Sequence, residues 1–175
     1  MDVLYYEHQY PSFMGRASIF LAGPTLRSDE RTPWRLDALN ILKNINYTGI
    51  VCIPEFSGGN FIREKAARNL TSKTILNWET FGLYNSSVIL FWMPFCEDLP
   101  GLTTRAEFGY WMGKEPSKLA VGMPGLLLGP PARGTGFIRY HCISQCVPLW
   151  STLEETVAYA IGKASRDAPC VTSET

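Results

Sequence analysis

The stretch Asn85–Lys114, NSSVILFWMPFCEDLPGLTTRAEFGYWMGK, decides the fold. It opens on an apolar run, Val88 to Met93, with the length and composition of a strand buried on both faces. Pro94 ends the run, because proline has no N–H for the next ladder bond. A polar loop with Glu97, Asp98, Pro100 and Gly101 follows. From Thr103 an apolar-rich segment through Trp111 reads as a helix. Strand, polar loop and helix in this order place the loop at the carboxyl edge of a parallel sheet, where open α/β folds bind their ligands.

The same unit recurs on both sides. Ser18 to Ala22 reads as the first buried strand, turned by Gly23-Pro24-Thr25 into a polar loop, Arg27 to Thr32. Thr32-Pro33-Trp34 is a helix start, a capping residue followed by proline at the first helical position. Ala38, Ile41, Leu42 and Ile45 keep the spacing of a core-facing stripe. Ile50 to Ile53 is the second strand, closed by Pro54-Glu55 at the same edge as Gly23, and Ser57-Gly58-Gly59-Asn60 is a flexible loop. Phe61 to Thr80 has helical composition, with a break expected near Thr71-Ser72 and a resumption to Trp78-Glu79. Beyond the central unit, Lys118 to Met123 reads as a strand, Gly125 to Gly136 as a loop, Phe137 to Ser144 as a short helix and Cys146 to Trp150 as the fifth strand. Ser151-x-x-Glu154 looks like a capping box for a last helix lined by Leu153, Val157 and Ile161.

Strands alternating with helices require right-handed crossovers and a parallel sheet. The expectation is a single-domain α/β protein with a flavodoxin-like, three-layer fold around a five-stranded parallel sheet, spanning 17–164. Residues 1–16, with Tyr5, Tyr6, Tyr10 and Phe13, show no period and read as an extended arm; 165–175 read as a flexible tail.

Composition narrows the function. At 175 residues the chain favours one domain, and a domain of this size hides about 70% of its unfolded surface. A formal net charge of zero offers no field for a nucleic acid polymer. The five cysteines, Cys52, Cys96, Cys142, Cys146 and Cys170, are irregularly spaced and lack the paired pattern of a zinc site. No apolar run approaches the roughly 20 residues of a membrane span, and the simplest setting is cytoplasmic. The Gly-rich dinucleotide fingerprint and the P-loop are both missing after the first strand, so no cofactor is expected. His8 and His141 stand apart from the central stretch and read as structural.

Glu107 admits two readings. Thr104-x-x-Glu107 fits a capping box, a frequent and purely structural device. Alternatively, Glu107 is a functional carboxylate in the first turn of a helix above a sheet edge, its ionised form favoured by the helix dipole.

Three motifs taken in order, SIFLAGP at 18–24, VILFWMP at 88–94 and PGLTTRAEFGYW at 100–111, resemble the nucleoside 2-deoxyribosyltransferase-like family over about residues 17–162. The resemblance implies that Glu107, in the step Glu107-Phe108-Gly109, attacks the anomeric carbon of a nucleoside or nucleotide. Glu79 or Asp98 would supply the leaving base with a proton. Glu55, Trp34 and the turn Gly23-Pro24-Thr25 would line the base pocket, with Trp78-Glu79 a tryptophan–acid pair that recurs in the family. An aspartate that holds the sugar hydroxyls in well-studied transferases is replaced here by Gly101, leaving Asp98, Thr103 and Thr104 as the nearest substitutes. The threonines also stand where a 5′-phosphate would meet helix-start amides. The same resemblance implies a homodimer or higher oligomer and no metal. An NAD glycohydrolase-type enzyme and a non-catalytic nucleotide-binding sensor of the same fold are the two rival readings.

Overall fold

The four central apolar runs become strands buried along their whole length, and the stripes between them become helices that cover the sheet on both faces. The computed structural model describes residues 1–10, 12–13, 15–25, 34–58, 65, 68–95, 99–124 and 134–167. The elements are β1 (Asp2–Leu4), β2 (Ser18–Ala22), α1 (Trp34–Asn44), β3 (Ile50–Cys52), α2 (Ser72–Asn85), β4 (Val88–Trp92), α3 (Leu102–Lys114), β5 (Leu119–Gly122), α4 (Thr135–Ser144), β6 (Leu149–Trp150) and α5 (Leu153–Asp167). A 3₁₀ turn, Pro116–Lys118, leads into β5.

All six strands are parallel, in the order β1-β3-β2-β4-β5-β6. Without β1 this is the doubly wound flavodoxin order. Phe20, Ile89, Phe91 and Val121 face Leu83 of α2, Phe108, Trp111 and Met112 of α3, and Ile138 and Cys142 of α4. Ile19, Leu21, Leu90 and Ala120 face Ala38 and Leu42 of α1 and Val157, Ala160 and Ala164 of α5. Both faces of β2 and β4 are therefore dry, which is why those strands read as unbroken apolar runs rather than as alternating ones.

The sheet has one strand more than the sequence suggested. The N-terminal arm supplies it: Asp2, Val3 and Leu4 pair in register with Ile50, Val51 and Cys52. Three residues are too few to show a period, so the strand was invisible in the pattern.

Other boundaries moved for local reasons. The last helix is capped one residue later than Ser151-x-x-Glu154: the Glu155 amide donates to Thr152 Oγ1 (3.2 Å), and the Thr152 amide donates to the Glu155 carboxylate (3.2 Å). Leu153 and Val157 must face the sheet, and that phase fixes Thr152 as the cap. Thr71 caps α2 by accepting from the Thr74 amide (3.1 Å), as the expected break implied, but the helix runs past Trp78-Glu79 to Asn85. On α1 the buried stripe is Trp34, Arg35, Ala38, Leu39 and Leu42, while Ile45 lies beyond the helix and is exposed. The Thr32-Pro33 helix start, Gly59-Asn60, the segment 61–64, Glu97 and Asp98, the loop 125–133, and Cys96 and Cys170 lie outside the described residues.

Candidate active site

The order reversal between β2 and β4 puts a crevice at their carboxyl ends, and four chain segments converge there. Gly23 follows β2 directly. A Cβ at this position would lie 2.4 Å from the Trp92 carbonyl oxygen and 2.7 Å from the Trp34 ring, so only glycine lets β2, β4 and α1 approach so closely. The Trp34 indole donates to the Pro24 carbonyl (3.0 Å) and braces the turn from beneath.

Arg35 organises what lies above. It is 2% exposed, on the core-facing stripe of α1. Its guanidinium donates to the carbonyls of Leu21 (3.0 Å) and Gly23 (2.6 Å) and to the Glu55 carboxylate (2.6 Å). One buried cation thus ties the end of β2 to the segment after β3. A buried guanidinium cannot shed its proton to escape desolvation, so it must be surrounded by acceptors and anions.

The anions are Glu55, Glu79 and Glu107. Glu107 lies on α3, but not in a capping box. The helix starts earlier than that reading requires: Gly101 is the N-cap in a left-handed conformation (φ 58°), with no side-chain cap. Thr104 is then within the first turn and buried, and Glu107 falls in the second turn, half-buried. The expectation that the helix dipole keeps Glu107 ionised fails with that shift. Burial, and then the charge of Glu79, push its carboxyl up to about 7, against the opposing pull of Arg35. Three carboxylates around one guanidinium in a half-dry crevice leave an excess of negative charge, which is relieved by holding a proton.

Glu79 occupies the opposite wall, on α2. Burial raises its pKa, while a hydrogen bond from the Tyr6 hydroxyl and the charge of Arg35 work the other way. The Tyr6 hydroxyl is hydrogen-bonded to the Glu79 carboxylate. Burial, followed by the Glu79 charge, also raises the Tyr6 phenol far above its ordinary range, so Tyr6 is the donor. Tyr6 packs against Phe56 and, edge-on, against Trp78, with ring centres 5.1 and 5.2 Å apart.

A family model described as nucleoside 2-deoxyribosyltransferase like matches residues 16–125, more than half of the chain. The chain belongs to the nucleoside 2-deoxyribosyltransferase-like family. No curated protein matches the chain. The family is one of N-glycosyl transferases and hydrolases acting on nucleosides or nucleotides. The match opens just before β2 and closes just after β5, so it contains Gly23, Arg35, Glu55, Trp78, Glu79 and Glu107 and omits Tyr6, β6 and α5.

Among the residues that the deoxyribosyltransferase resemblance singled out, the structure brings Glu79, Glu107 and Glu55 around Arg35. Gly23, Pro24 and Thr25 form the turn below. Thr25 is exposed, with its hydroxyl 3.4 Å from Arg35. Trp34 is buried at 6% exposure in the layer of α1 and α5, and bears on the crevice through the turn it supports. Trp78 is half-buried beside Glu79, and Thr103 is exposed on the first turn of α3. Asp98 lies outside the described residues. Gly101, where the family's aspartate would stand, holds φ 58° with the Phe95 ring 2.3 Å from a built Cβ, so a side chain here would strain the backbone and require the ring to shift.

Two residues escaped the sequence reading. Arg35 was legible in principle, since an arginine in phase with Ala38, Leu39 and Leu42 on an apolar stripe needs a buried partner. Tyr6 carried no signal, because its place depends on the unrecognised strand β1. Two shallow depressions of about 400 and 460 Å³ lie elsewhere, one around Tyr47 and Gly49 and one between Trp34, Asp37 and Glu154. Neither brings a pair of carboxylates to a buried cation. Among the described residues no helix is long and apolar enough to cross a membrane.

Proposed function

We propose that the protein cleaves or transfers at the N-glycosidic bond of a nucleoside or nucleotide through a covalent glycosyl-glutamate. The observation that carries this reading is a half-buried helix glutamate, held up to about 7 beside a second carboxylate, at the carboxyl edge of the sheet. Glu107 attacks the anomeric carbon. The carbon–nitrogen bond breaks with its electron pair going to the base, and Glu79 gives the departing base a proton. In the second step a new base, or water, loses a proton to Glu79 and displaces Glu107 from the sugar. This is the division of labour in retaining glycoside hydrolysis, where one carboxyl is nucleophile and the other acid and then base. Arg35 stabilises the negative charge that returns to Glu107 when the ester breaks.

The chemistry needs one proton on the two carboxyls together. The pair titrates as a unit, so the rate is set by the singly protonated form whichever carboxyl holds that proton in the empty site. Activity therefore falls on the alkaline side near pH 7, the value for Glu107. It falls on the acid side as the second carboxyl takes a proton, above the ordinary glutamate value of 4.5 because burial raises Glu79.

The test is direct. The protein is incubated with deoxynucleosides, deoxynucleotides and NAD, and free base is followed. Release from deoxynucleosides or deoxynucleotides supports the reading. Release from NAD alone supports a glycohydrolase, and binding without release a sensor. A 2-fluoro-nucleoside should leave an adduct on Glu107, read by mass spectrometry.

The proposal extends to assembly and setting. α2, α3 and α4 share one layer, and its outer side carries Phe81, Tyr84, Tyr110, Phe137, Tyr140 and Ile143, all exposed. An apolar surface this rich is covered by a second copy of the chain. The working unit is one domain, its sheet completed by β1 of the N-terminal arm, in the cytoplasm.

A further inference from the structure

We infer that the N-terminal segment, residues 1–10, is part of the active site, and that Tyr6 is the positioning residue that fixes the charge and orientation of Glu79. The inference rests on the N-glycosidic reading for its catalytic consequence, and on geometry alone for its placement.

The tryptophan–acid pair of α2 is held by this segment on several sides. The Trp78 indole N–H donates to the His8 carbonyl (3.0 Å). The Tyr10 hydroxyl donates to the Trp78 carbonyl (2.7 Å), and its ring stacks on the indole with centres 4.7 Å apart. The Tyr6 ring meets the other side of the indole edge-on, and the Tyr6 hydroxyl reaches past it to Glu79. The segment is itself anchored: β1 pairs with β3, and the Tyr6 amide donates to the Glu55 carbonyl (3.0 Å). Gly82 is glycine for the same reason, since a Cβ there would lie 2.4 Å from the Tyr10 hydroxyl. Residues 1–10 lie outside the span that matches the family, while the Trp78, Glu79 and Gly82 they hold lie within it.

The chemical effect follows from who faces Glu79. Tyr6 and Tyr10 approach from the N-terminal segment, Arg35 from α1 with Glu55 as its ion-pair partner, and Glu107 from α3. Tyr6 is the group that donates a hydrogen bond to Glu79 from outside the helix core, and it favours the charged carboxylate. Glu79 in its charged form repels charge on Glu107, so the phenol sets where along the pH axis the pair keeps its single proton. It also locks the carboxyl rotamer, which a half-exposed glutamate would otherwise sample freely.

The experiment compares wild type with Tyr6→Phe and with the full chain carrying 3-fluorotyrosine at position 6. The fluorinated phenol is a stronger donor of nearly the same shape, so it keeps the variant folded. Two readouts are taken: the pH profile of base release, and the titration of the Glu79 and Glu107 carboxyls by carbon NMR. Loss of the bond in Tyr6→Phe should move the profile and the carboxyl titrations to higher pH by about one unit. The stronger donor should move them to lower pH. Tyr10→Phe, which removes the bond to the Trp78 carbonyl and leaves the Tyr6–Glu79 hydrogen bond in place, should raise KM and leave the limbs of the profile in place. If neither change at position 6 moves the carboxyl titrations, the inference is overturned, and Tyr6 is packing alone. If the titrations move while wild type releases no base from any nucleoside, the positioning stands and the proposed reaction falls.

Discussion

Replacing Glu107 with glutamine should abolish base release and, at the same time, stabilise the fold above neutral pH. The sign follows from the direction of its titration. Below 4.5 the carboxyl is protonated in both the folded and the unfolded chain, and glutamine is a near-isostere with little effect. Between 4.5 and about 7 the unfolded chain releases the proton while the folded chain retains it, so wild-type stability declines as pH rises across that window. Above it, the folded protein holds a carboxylate facing Glu79. Moving a carboxyl from 4.5 to about 7 costs about 3 kcal/mol at 1.36 kcal/mol for each pH unit. For a chain of this size that corresponds to roughly 6–12 °C in Tm. Thermal unfolding of wild type and Glu107→Gln by circular dichroism, at about pH 4.5 and about pH 8.5, reads the difference. The curves should nearly coincide in acid and separate in base, with the variant melting higher. Base release should fall by roughly 10³-fold or more, as for loss of a nucleophile. A variant that melts no higher at alkaline pH than in acid, relative to wild type, would refute the buried-charge argument. One that retains wild-type turnover would refute the mechanism.

Three other expectations are open to measurement. Asp98→Ala and Thr103→Ala should each weaken substrate binding by about 0.5–1.5 kcal/mol in calorimetry; Ser87→Ala should not, because Ser87 bonds Ser18 at the far edge of the sheet. Restoring the family's aspartate through Gly101→Asp should lower the urea midpoint without improving sugar binding, since the left-handed backbone and the Phe95 ring both oppose a side chain there. Light scattering at micromolar concentration should give the mass of a dimer or larger oligomer, and a monomer mass would contradict the covered α2–α3–α4 face.

The sheet was readable because its central strands are buried on both sides, and a doubly buried strand writes itself as an uninterrupted apolar run. β1 is an edge strand of three residues and leaves no such trace. A helix phase is legible where a stripe of several residues sets it, as along α5, whereas a short polar motif does not fix the boundary. Thr104-x-x-Glu107 and Ser151-x-x-Glu154 both have the letters of a capping box. In each case the apolar phase of the helix, not the motif, decides where the first turn lies. The meeting of Glu79 with Glu107 is a property of the crossover: each helix alone gives one glutamate with no partner. Only the parallel order of β2 and β4 puts α2 and α3 on the same side with both carboxyls at the same edge.

The docking of residues 1–10 has a kinetic corollary. These residues come first in the chain, yet the partners that hold them to the core are β3 and then Trp78 and Glu79, far along the sequence. β1 sits at the edge of the sheet and pairs with β3 alone, so it docks on a sheet that β3, β2 and β4 have already built. The core around β2 and β4 should therefore form in the transition state and the N-terminal segment after it, giving low φ-values at Leu4 and Tyr6 and high ones at Ile89 and Phe91. A folding intermediate arrested at that stage would have its sheet but a loose Glu79. Completion of the fold and competence of the acid pair would then be the same event.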